Sequence, residues 1–146
     1  MSARGKYSVF ILGALLACFA SRSGYAKAPQ GRYVIANGEV TDTKTGLVWQ
    51  QTLNPNAYTF AEAVAECPKL GGFWRTPNVK ELASLVDESN SFPAIDEDAF
   101  PGTPAAEQWS STPDASDSAY AFVVDFSDGG VAVAPVATKN RLRCVR

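Results

Sequence analysis

The sequence predicts an α+β domain behind an export leader. Three observations carry this reading. Two stretches open on capping boxes and continue with apolar residues at helical spacing. Short apolar runs bounded by hairpin turns precede them. A last group of strands follows a long proline-rich interval, so strands and helices are segregated along the chain. At 146 residues there is room for one domain.

The leader comes first. Arg4 and Lys6 precede an uncharged run from Val9 to Ala17. That run is shorter than the roughly 20 residues needed to span a bilayer. A basic start, a short apolar core and small residues after it read as a secretory signal peptide over residues 1–26. Two processing sites compete. Gly24-Tyr25-Ala26 places small residues where signal peptidase I requires them, before Lys27. Leu15-Leu16-Ala17-Cys18 has the form of a bacterial lipobox, in which Cys18 is lipidated and heads the mature chain. The expected location is exported: periplasmic, anchored to the outer membrane, or extracellular in a bacterium.

Either route leaves Cys67 and Cys144 as a pair out of three cysteines. Outside the cytosol that pair is expected to be oxidised. Processing after Ala26 also removes Arg4, Lys6 and Arg22 and no acid. Ten of the 13 basic side chains then face 15 acidic ones, a net charge of −5. This argues against nucleic acid as a partner, and leaves a lipid on Cys18 as the only expected membrane contact. One local exception is the basic cluster Lys139, Arg141, Arg143 and Arg146.

Residues 27–31 read as a linker and 32–146 as the domain. Arg32 to Ala36 predicts a strand. Asn37-Gly38 predicts a hairpin turn, because both positions tolerate positive φ. Glu39 to Thr41 returns, and Leu47 to Trp49 is a third, buried strand. Thr59 to Leu70 predicts a helix: Thr59 and Glu62 make a capping box, and Phe60, Ala63, Val64 and Cys67 share one face. Pro68 ends its regular part. Asn78 to Asp87 predicts a second helix, with Asn78 and Glu81 as capping box and Val79, Leu82, Leu85 and Val86 as apolar face. Residues 88–118 predict a long irregular loop anchored by Phe92, Ile95, Phe100 and Trp109. Ala119 to Phe126, Val131 to Ala137 and Arg141 to Val145 predict the closing strands.

Five separated blocks resemble the Lcl C-terminal domain family, named for a bacterial collagen-like surface protein and long regarded as a domain of unknown function. Residues 38–50, GEVTDTKTGLVWQ, are similar to its opening GTVTDxxTGLMWQ. Residues 59–67, TFAEAVAEC, are similar to TWxEALxYC, and 73–87, FWRTPNVKELASLVD, to DWRLPxxKELxSLVD. WSST at 109–112 matches directly, and DFSDG with RLRCV resembles the close. Thr76 departs from the family's usual Leu. The resemblance implies a C-type-lectin-like fold: two helices packed on small antiparallel sheets, a long irregular loop, and a disulfide from first helix to last strand. It also implies glycan or sulfated-polysaccharide attachment and homo-oligomers.

The chemistry is narrow. The chain has no histidine, which removes Ser-His-Asp and Cys-His sites and His-ligated zinc. A paired Cys67 and Cys144 removes the thiol chemistry of the formylglycine-generating oxidases that share this superfold. Asp96, Glu97 and Asp98, with Asp125 and Asp128, are calcium candidates, since hard cations take oxygen ligands. The Glu-Pro-Asn, Gln-Pro-Asp and Trp-Asn-Asp signatures of calcium-dependent lectins are absent, and no other cofactor is expected. Trp109 is the candidate stacking platform for a sugar, with Tyr58 and Tyr120 behind it. Lys139, Arg141 and Arg143 are candidates for an acidic ligand. The expected function is a non-enzymatic binding module for a glycan. A structural or assembly protein with an envelope-protein partner is the alternative, and an enzyme of unknown type the third reading.

Overall fold

The computed structural model describes residues 29–146. The leader, both processing sites, Cys18 and the first two linker residues lie outside the described residues. Strands β1 (Tyr33–Ala36), β2 (Glu39–Asp42) and β3 (Val48–Gln50) form an antiparallel sheet in that order. Asn37 (φ 54°) and Gly38 (φ 76°) make the predicted turn, both left-handed as a primed turn requires. Val40 and Asp42 face inward. The Asp42 carboxylate accepts from Arg32 Nη2 at 2.9 Å and from Lys44 N at 2.9 Å, which closes the following turn.

Helix α1 (Phe60–Glu66) starts where the capping box places it: Glu62 Oε2 accepts from Thr59 N at 2.8 Å, and Thr59 caps in return. Pro68 lacks the N–H an α-helix needs, so the predicted helix continues only as a 3₁₀ turn, Cys67–Leu70. Ala63 and Cys67 are buried, whereas Val64, expected on the same face, is exposed. Helix α2 (Val79–Ala83) has its Asn78–Glu81 capping box but stops early. The chain turns at Ser84, and Val86 pairs with Ile95 instead of extending the helix.

The second sheet is antiparallel, in the order β4 (Glu107–Pro113), β5 (Tyr120–Asp125), β6 (Gly130–Pro135). β4 corrects the expectation of a loop through 88–118. Its polar sequence, EQWSSTP, hides a strand that pairs with β5 through Trp109 and Val123. The irregular stretch is therefore 88–106. Within it Ile95 and Phe100 are anchored in the core as expected, but Phe92 is 75% exposed and anchors nothing.

β5 divides two cores, because successive side chains of a strand point to opposite faces. Ala121 and Val123 join Trp109, Leu142 and the cysteines beside α1. Val124 and Phe126 join Trp49, Leu82, Ile95 and Phe100 on the other side. The C-terminal segment is the seam between the sheets. The expected ladder over Arg141 to Val145 is instead a set of single bridges: Asn140 to Tyr58, Arg141 to Gln108, and Val145 to both Trp49 and Arg75. Cys144 lies in this seam and is bonded to Cys67 across 77 residues, with Cα atoms 5.5 Å apart. Closing a loop of that length stabilises by about 4 kcal/mol in the chain-entropy picture. Thr76, the departure from the family pattern, is buried and donates to the Ala63 carbonyl at 2.8 Å, tying α1 to the entrance of α2.

Candidate functional site

Three aspartates of the irregular stretch and of the β5–β6 turn serve the backbone. Asp96 Oδ1 accepts from Asp98 N at 2.9 Å and Ala99 N at 3.0 Å. Asp125 Oδ1 accepts from Ser127 N, and Asp128 Oδ1 from Gly130 N, each at 2.8 Å. Glu97 and Asp98 are exposed. Among the described residues no group of three or more His, Cys, Asp or Glu side chains is placed to hold a metal ion.

Trp109 is fully buried. Its indole N–H donates to the Tyr58 carbonyl at 2.7 Å, and its ring meets Phe60 edge-on at 5.6 Å. A ring closed on both faces offers no platform to a sugar, which corrects the expectation for this residue. Tyr120 is partly exposed, on the rim of β5.

The basic C-terminal cluster is dispersed. Arg146 pairs with Glu39 at 2.7 Å and lies over the Trp74 ring. Arg143 is fully buried, so it cannot belong to a surface patch as expected. Its Nη1 donates to the carbonyls of Gln50 and Gln51, its Nη2 to Thr103 Oγ1 at 2.7 Å, and its plane lies 4.7 Å from the Phe100 ring. Burial pulls the guanidinium down to about 9, so it is still a cation at neutral pH. Among the described residues neither Arg143 nor Arg141 forms a salt bridge.

Two grooves flank the rib formed by residues 53–58. One, about 300 Å³, lies between Leu53-Asn54-Pro55 and Gly102 with Pro104, and has Arg141 in its wall. Arg141 donates one N–H to the Pro55 carbonyl. The loops that grip Arg143, at Gln51 and Thr103, adjoin this groove in sequence. The other groove, about 660 Å³, runs between Asn56-Ala57-Tyr58 and the outer face of α1, with Lys139 at its edge. The rib is fixed on the C-terminal seam by reciprocal Tyr58–Asn140 backbone bonds of 2.9 Å.

The seam is also where polar groups go unanswered. The buried side-chain atoms without a hydrogen-bond partner among the described residues are Trp49 Nε1, Tyr58 Oη, both amide atoms of Gln108, Asn140 Nδ2 and Arg143 Nε. Each lies on the C-terminal segment or on a residue bridged to it. Such atoms are costly and uncommon in folded proteins. Sequence reading named Lys139 and Arg141, but not the rib or the grooves, which arise from packing between segments far apart in the chain.

The family model of the Lcl C-terminal domain matches residues 38–146, well over half of the chain, and the chain belongs to that family. β1 and the residues around it fold as part of the same unit although they precede the match. A comparison with curated proteins finds none that matches the chain.

Proposed function

We propose that this Lcl C-terminal domain is an exported, non-enzymatic binding module that holds an acidic group of a glycan in the Arg141 groove. One observation carries the proposal: Arg141 stands in the wall of a groove without an acidic partner among the described residues. A carboxylate or sulfate in the groove would give Arg141 the charge-assisted bond that this arrangement leaves open. The scaffold in this reading is a C-type-lectin-like one, supported by the disulfide from the first helix to the C-terminal seam. Recognition needs no calcium here, in keeping with aspartates committed to their own turns. The periplasm or the bacterial surface is the proposed site of action.

The test is a titration of the oxidised domain with acidic and neutral polysaccharides, in calcium and in chelator. Salt-sensitive binding of the acidic polymers, unchanged by chelator, supports the proposal; equal indifference to all polymers defeats it. An assembly role is the second reading. It is favoured by Phe73 and Phe92, 96% and 75% exposed, and by β6, an uncharged edge strand with Val131 and Val133 exposed. Concentration-dependent self-association, or a stable envelope-protein partner, would favour that reading.

A further inference from the structure

The second sheet has one covered edge and one open edge. Along the outer side of β4, Trp109 N donates to the Arg141 carbonyl at 2.9 Å and Arg141 N to the Glu107 carbonyl at 3.0 Å, so the C-terminal seam answers that edge. β6 has β5 on one side and no strand on the other among the described residues. The register shows which of its backbone groups are open. At the two ends of β5, the Tyr120 carbonyl accepts from Asp114 N at 3.0 Å and Phe126 N donates to the Ala106 carbonyl at 3.3 Å, so even-numbered residues turn toward β4. Odd-numbered residues turn toward β6, where the Ala119 carbonyl accepts from Val136 N at 2.9 Å. The alternation of an antiparallel ladder then points the N–H and C=O of Val131 and Val133 away from β5. Their side chains are exposed as well. The open row ends there: Pro135 has no N–H, and its carbonyl already accepts from Thr138 N at 2.8 Å. Neither a charge, an internal proline nor a bulge guards residues 130–134.

We propose that β6 pairs with β6 of a second copy of this chain, antiparallel about a two-fold axis at Ala132. Val131 then exchanges both backbone bonds with Val133 of the second copy, and Val133 does the same with Val131 of the second copy. This uses every open group of the two residues. Two open residues around a closed one are their own complement, which is what a contact between identical patches requires. A longer peptide of another protein would find no further donor or acceptor at Pro135 to hold it. Charge sets the direction. The chain is acidic overall, but β6 itself carries no charge. Antiparallel pairing brings the acidic turn at Asp128 of each copy toward the Lys139 end of the other, whereas parallel pairing would set like charges together. The valines of both copies meet on one face, beside Phe122, which lies across from Val133. Because the seam covers β4, the sheet stops growing at two copies. The proposal rests on the assembly reading and deepens it by naming the partner and the register.

The experiment follows amide NMR spectra of the oxidised domain from about 10 μM to about 1 mM, the range of weak association for an interface below roughly 1,200 Å². The Val131 and Val133 amides are expected to shift with concentration and to gain protection from exchange. The Trp109 amide, already bonded to the seam, should not change. Ala132→Cys is the sharper probe. Residues opposed on the axis have Cα atoms about 4.5 Å apart, inside the disulfide range of roughly 4.4–6.8 Å. Mild oxidation should therefore link two copies of Ala132→Cys about ten-fold faster than two copies of Ser118→Cys, at an exposed position outside the strand. Val133→Lys charges the edge and should leave a monomer with its urea midpoint little changed. Ala132→Cys that links no faster than Ser118→Cys would overturn the pairing. Dimers that survive Val133→Lys use another surface, which overturns the β6 pairing and keeps the assembly reading. Spectra independent of concentration overturn the pairing and remove self-assembly from that reading altogether.

Discussion

Arg75 and Arg143 are both gripped near the C-terminal seam, yet their surroundings are opposite. Arg75 meets Glu81 through two parallel bonds of 2.7 Å, and Glu81 also caps Asn78 N at 2.8 Å. The charge is answered within a few residues of sequence, at the surface. Arg143 is answered by two carbonyls, a hydroxyl and an aromatic face from segments remote in sequence, and by no acid among the described residues. The first arrangement fixes the entrance of α2 and asks for nothing more. The second holds loops 50–51 and 103 in place and leaves a buried positive charge with no acid beside it among the described residues. Both are structural charges; the arginine in a groove wall is Arg141, two residues before Arg143 in the same segment.

The largest expected effect comes from the bond that holds the seam to α1. Replacing Cys67 and Cys144 with serine should cost about 4 kcal/mol, read as a lower urea midpoint. A loss under 1 kcal/mol would mean that the bridges carry the seam by themselves. Next, Arg143→Ala should cost about 3 kcal/mol, since it empties a buried site and strands the groups it satisfied. Loop 102–104 should also lose amide protection from exchange. An unaffected loop would break the contrast with Arg75.

The Arg75–Glu81 pair should matter least, about 1 kcal/mol or less, because the Arg75 side chain is 46% exposed and screened by water. Its signature is in pH. The Arg75 bond, with help from the Asn78 N–H, holds the Glu81 carboxyl below the usual glutamate value of 4.5. A carboxyl whose pKa is depressed by folding stabilises fully above its unfolded value, and that contribution is lost as pH falls through the lower folded value. Stability should therefore drop below about pH 4.5, with a smaller drop in Glu81→Gln. Identical acid profiles for the two proteins would show that the pair is inert.

The sequence made local structure legible and packing opaque. Both capping boxes, the Asn37-Gly38 turn and the cysteine pair are written in residues close together or few in number. β4 was hidden because Gln108, Ser110 and Thr112 carry no apolar alternation, and its partner β5 supplies the order. Trp109 reads as an exposed platform at the edge of a loop, and becomes core once that loop is a strand. Lys139, Arg141 and Arg143 read as one basic face. The seam instead sends Lys139 to one groove, Arg141 to the other and Arg143 inside. Nothing in a linear pattern announces the rib at 53–58, because the Tyr58–Asn140 pairing joins residues from opposite ends of the domain.

The most direct test compares wild-type and Arg141→Ala domains, both oxidised, for binding to an acidic polysaccharide in calcium and in chelator. The Arg141 side chain gives one hydrogen bond, to the Pro55 carbonyl, and its bridge to Gln108 is made by the backbone, so the variant should keep its urea midpoint. The expected result is binding that falls at least ten-fold in the variant and ignores chelator. Wild-type affinity in Arg141→Ala, or binding abolished by chelator, would contradict a ligand site on the seam and return attention to the aspartates of the loops.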